Sequence, residues 1–66
     1  MSARERFVAV VVQLGGSLAA AELLDCSRGY INMIKAGKRR PGLALARRIE
    51  IASGGEITMR AWMAGS

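Results

Sequence analysis

The stretch from Ser17 to Arg39, SLAAAELLDCSRGYINMIKAGKR, constrains this chain more than any other part of it. It divides at Asp25 into two short helical patterns separated by a tight turn, and the second runs directly into positive charge. Between Arg28 and Arg48 there are seven Lys or Arg residues and no Asp or Glu. A helix pair with a basic second member is an economical way to place side chains in the major groove of DNA.

Size and charge narrow the reading further. The 66 residues make one domain, 1–66. A chain of this size buries only about 60% of the surface its unfolded form exposes, so a second copy is a natural way to enlarge the core. The net charge of +5 points to a polyanionic partner. A membrane surface would also attract that charge, but no segment backs a basic face with a broad aromatic one. The longest apolar run, Phe7 to Val12, is six residues. A membrane span needs roughly 20 and a signal-peptide core about 7–15.

Enzyme chemistry is poorly supplied. There is no His, the five carboxylates are scattered, and the single Cys26 has no base to activate it. The same inventory provides no zinc centre and no phosphate loop, so neither metal nor cofactor is expected. One cysteine excludes an intramolecular disulfide and fits a reducing compartment, the cytoplasm.

Periodicity places five short helices. Phe7, Val11 and Leu14 form one stripe of a helix starting near Ala3, with Ser2 and Glu5 in a capping-box pattern and Gly15-Gly16 ending it. The valines of this segment also favour a strand, and the caps decide for helix. Ser17 caps a second helix, Leu18 to Leu24, whose Ala20, Ala21 and Leu24 share a face. Asp25 sits where the chain reverses, as a residue that tolerates the left-handed conformation. Ser27 caps the third helix, about 27–36, with Ile31 and Ile34 inward and Gly37 as the stop. A fourth covers about Leu43 to Ser53 on a Leu45/Ile49/Ala52 stripe. Thr58 caps a last one, Met59 to Met63, in which Trp62 covers the bottom of the core. The tail Ala64-Gly65-Ser66 is expected to fray. The fold class is all-α, a compact bundle of five short helices containing a helix-turn-helix.

From Leu14 to about Trp62 the chain resembles the lambda-repressor-like helix-turn-helix domains, specifically the small Cro-type regulators of phages and prophages. The resemblance rests on Ala21 within the first helix of the pair, Cys26 after the turn and the Ser27 cap. It continues through the inward Ile31 and Ile34 and the run Gly37-Lys38-Arg39, spaced without insertions. The segment from Ala46 to Thr58 is similar to the tail of compact Cro-like proteins. This chain departs from the family in having Ser17 where Gln is usual, Asp25 where Gly is frequent, and Arg28, Gly29, Asn32 and Met33 at the groove-facing positions.

The resemblance implies that those four positions read bases. A guanidinium at Arg28 can take guanine O6 and N7 together, or it can contact phosphate. Gly29 either lets the helix approach DNA closely or is a tolerated helix defect. Asn32 suits adenine N6 and N7, or simply faces solvent. Met33 either touches a thymine methyl or packs at the rim of the core. Ser17, Ser27, Tyr30, Lys38, Arg39 and Arg40 are the expected backbone contacts, with an edge-of-core role as the alternative for Tyr30. Lys35, Arg47 and Arg48 read equally well as solvated surface. Cys26 reads as a small apolar residue filling the turn. Ile51 lies off its helix's apolar stripe and, with Met59 and Met63, is a candidate dimer contact.

The expected function is sequence-specific regulation of transcription by a Cro-type repressor that binds a palindromic operator in double-stranded DNA as a homodimer. It would act in the bacterial cytoplasm or the nucleoid of an infected cell, without membrane or small-molecule substrate. With no residues left over for an effector domain, occlusion of RNA polymerase is the expected mechanism. The alternative is an antitoxin or accessory regulator that uses the same domain to hold a protein partner.

Overall fold

A computed structural model of the chain describes residues 2–63; the expected fraying at 64–66 lies outside the described residues. Four α-helices follow one another: α1 (Ala3–Gln13), α2 (Ser17–Leu24), α3 (Arg28–Lys35) and α4 (Leu43–Ala52). A 3₁₀ turn, Met59–Trp62, completes the order. There is no strand among the described residues. The fifth expected helix is therefore corrected to this turn. Its bonds run i to i+3, from Ala61 N–H to the Thr58 carbonyl and from Met63 N–H to the Arg60 carbonyl, both 3.0 Å. Four residues fix too few hydrogen bonds to propagate an α-helix.

The ends of the helices follow from identifiable side chains. Ser2 and Glu5 form the reciprocal capping box at the head of α1. Their bonds hold the Glu5 carboxyl below its ordinary range, first through the Ser2 N–H and then through its hydroxyl. This local pairing fixes α1 against the strand preference of its valines. Asp25, at φ 59°, ends α2 in the left-handed region, and the Cys26 N–H closes back on the Ala21 carbonyl at 2.9 Å. Gly37, at φ 78°, ends α3 in the same manner. Ser27 accepts from Tyr30 N–H at 3.0 Å and so starts α3.

One core results. α2 packs on α3, α1 and α4, while α1 also meets α3 and the 3₁₀ turn. Phe7, Val11, Leu24, Ile31, Ile34, Ile49 and Ile57 are buried essentially completely. Ala20 and Ala21 are buried where α2 meets its neighbours, and their small side chains bring the helices close. Trp62 closes the core from below, edge-on to Phe7 with ring centroids 5.7 Å apart. Ile57, given no core role by the sequence pattern, is held in place by the loop after α4. Its N–H donates to Ser53 Oγ, and Glu50 Oε1 accepts from Met59 N–H.

Candidate nucleic-acid interface

The site is built on α3. Ile31 and Ile34 turn one side of this helix into the core, and the opposite side carries Arg28, Gly29, Asn32 and Met33, all exposed. A residue every 100° around the helix makes these four one outward surface. Gly29 lies near its middle, and a Cβ built there meets no heavy atom within 4 Å. The glycine is therefore not needed for packing within the chain, which leaves both close approach of a partner and a tolerated helix defect as readings of it.

Arg28 stands in the first turn of α3, where no acidic residue is present. The positive end of the helix dipole disfavours a cation there and favours an anion. The Arg28 side chain has no hydrogen bond or ion pair to another described residue. Lys38, Arg39 and Arg40, all exposed in the loop after α3, also have no side-chain partner. The Tyr30 hydroxyl donates to the Arg40 carbonyl at 3.1 Å. That bond uses the hydroxyl proton within the chain, and Tyr30, half-buried against the core, anchors the basic loop to α3, as the edge-of-core alternative has it. Ser27, Gly29, Tyr30, Met33 and Arg39 line one shallow concavity, which brings together five of the ten expected contact residues; Arg28, Asn32, Ser17, Lys38 and Arg40 do not line it.

A second cluster lies toward α2. Ser17 is not its cap, because Gly16 holds that position at φ 106° without a side-chain bond. Placed inside the first turn, the Ser17 hydroxyl instead donates to Asn32 Oδ1 at 2.9 Å and accepts from Lys35 Nζ at 3.2 Å. The side chains of α3 thus outcompete the backbone of α2 for this hydroxyl. Asn32 keeps its two amide N–H donors and the second lone pair of its oxygen, so this bond orients the side chain without using up its polar groups. Lys35 is half-buried and bridges the two helices. The first N–H groups of α2 are left without a side-chain acceptor, an arrangement that favours a nearby anion.

Several cations have structural work that the sequence pattern did not reveal. Arg4 Nη1 donates to the Lys35 carbonyl at 2.9 Å, and Arg48 Nη1 to the Leu24 carbonyl at 3.4 Å. Each covers the carbonyl end of a helix. The partners lie 31 and 24 residues away, so no local signal announces them. Cys26 is half-buried against the core, and burial pushes its thiol up, with Arg48 opposing and Asp25 adding to the shift. That favours the unreactive thiol form and the packing role.

Among the candidate dimer contacts, Met59 is half-buried and packs against the core, and Glu50 accepts from its backbone N–H. Ile51 and Met63 are exposed, at 70% and 74%. Ile51 lines an apolar groove with Leu23, Leu24, Ala52 and Arg48 rather than with the methionines. Leu23, exposed at 61%, was legible from its position off the Ala20/Ala21/Leu24 face. No family model, curated protein or solved structure matches the chain. No single described helix is long and apolar enough to cross a membrane.

Proposed function

We propose that this chain is a sequence-specific double-stranded DNA-binding regulator, a Cro-type repressor in which α2 and α3 form a helix-turn-helix and α3 enters the major groove. The observation that carries the reading is the outward face of α3. It holds Arg28, Gly29, Asn32 and Met33 together, bordered by basic side chains without partners among the described residues. A major groove about 12 Å wide admits an α-helix, and Arg and Asn are the side chains that recognise purine edges there. Lys38, Arg39 and Arg40 then follow the phosphates and supply affinity that falls with salt.

The exposed Leu23/Ile51 groove supports pairing of two copies, with repression by occluding RNA polymerase. It equally favours a second reading, an accessory regulator or antitoxin that holds a protein partner there. Selection of sites from a random duplex pool tests the first. Palindromic sites with half-sites about 10–10.5 base pairs apart, bound by two chains, are expected. Sites without a palindrome, or one chain per site, would refute the homodimer.

Gly29→Ala gives an independent check. The Cβ enters open space and alanine is the better helix former by up to about 1 kcal/mol, so thermal stability should rise. Operator affinity should fall, because the methyl group occupies the surface nearest the DNA. A variant that is both more stable and equally tight in binding would remove Gly29 from the interface.

A further inference from the structure

A pocket of about 260 Å³ opens on the far side of the basic loop, lined by Arg4, Ile34, Gly37, Arg39, Arg40 and Trp62. Three of these six residues are arginines and none is acidic. Arg39 and Arg40 have no side-chain partner among the described residues. Arg4 uses one nitrogen on the Lys35 carbonyl, which leaves most of its N–H donors unused. Trp62 is buried, and its indole Nε1 is the one buried side-chain polar atom among the described residues without a hydrogen bond. A buried donor left without an acceptor is a standing energetic cost.

We propose that this pocket binds a phosphate group, with Arg4, Arg39 and Arg40 around the oxygens and the Trp62 ring as its floor. Guanidinium groups match phosphate geometry and form short, charge-assisted bonds to it. The carbonyl end of α3 lies on the same side and repels an anion, but three positive charges outweigh its roughly half unit of negative charge. Gly37 contributes by lacking a side chain, since a Cβ there would lie 3.2 Å from Arg4 Cδ. The volume is below the roughly 300–1,000 Å³ of sites for drug-sized ligands, and suits a phosphate with part of its attached sugar. That phosphate is either a diester of bound duplex or the terminal group of a free nucleotide. In the first case the site deepens the DNA-binding reading; in the second it stands apart from it.

Trp62 is the only tryptophan, so its single indole N–H resonance and its fluorescence report on this pocket and the core beside it, and the paired variants separate the two. The full chain is titrated at constant ionic strength with inorganic phosphate, a 5′-mononucleotide and a selected duplex. A saturable shift of the Trp62 signal is expected. Arg40→Gln should weaken it about tenfold, as loss of a charge-assisted bond implies, whereas Arg47→Gln, with the same charge change on α4, should leave it intact. A shift with the mononucleotide identifies a free ligand, and a shift with duplex alone identifies the DNA backbone; both support the site. No shift with any of the three probes, or equal loss in both variants, overturns it. Duplex binding that depends on Arg28 while Trp62 stays unmoved refutes this site alone. Phosphate binding without duplex binding refutes only the DNA reading.

Discussion

Arg28→Ala is expected to cost about 1–3 kcal/mol of affinity for the best operator and to relax preference at one base pair per half-site. Lys38→Ala is expected to weaken binding to every duplex about equally. It should also lower the slope of log affinity against log salt by about one unit per chain. The contrast follows from position. Arg28 opens the outward face of α3 with no side-chain partner among the described residues, while Lys38 lies past the Gly37 turn in the loop. Base edges differ from one base pair to the next while phosphates repeat unchanged, so the first residue should govern selectivity and the second strength. One titration series with operator and scrambled duplexes at several salt concentrations measures both. Equal weakening on the two duplexes by Arg28→Ala, with changed base preference in Lys38→Ala, would mean that α3 does not dock as proposed.

Local chemistry made most of the helical order legible. Ser2 with Glu5, Asp25, Ser27 and Gly37 each act on backbone groups within a few residues, and the structure uses each as its neighbours suggest. The apolar stripes likewise identify Phe7, Val11, Ile31, Ile34 and Ile49 as core. What escaped depends on residues distant in sequence. Ser17 has the chemistry of a cap, but its hydroxyl meets Asn32 and Lys35 of the next helix, and no pattern in α2 reveals that competition. Tyr30 has a hydroxyl suited to phosphate, yet the loop folds back and its proton goes to Arg40. The roles of Arg4 and Arg48 as covers for helix ends exist only once α1 and α4 are packed. For the candidate site, the surface of α3 was readable from its periodicity, whereas the bonds that Asn32 and Tyr30 make within the chain were not.

Phe7→Ala should remove a large part of the fold's stability and unfold the chain at temperatures where the parent chain is still folded. Phe7 is wholly buried and carries the edge-on contact to Trp62, so its truncation removes both apolar burial and a neighbour of the core's only indole. Such a change costs about 3–5 kcal/mol. At roughly 0.05–0.15 kcal/mol per residue, a domain of 66 residues has on the order of 3–10 kcal/mol in all. The variant should therefore lose most of its far-ultraviolet helical signal at a temperature where the parent chain is folded. DNA makes this a test of function as well as stability, because a ligand that binds only the folded state stabilises it by mass action. Selected duplex at about 100 times its Kd contributes about 2.7 kcal/mol, enough to return much of the helical signal. Scrambled duplex at the same concentration should return less, in proportion to its weaker binding. A Phe7→Ala chain that stays fully helical in buffer would show that the core does not depend on this ring. A chain that unfolds and is rescued equally by both duplexes would show that folding is coupled to charge rather than to a read sequence.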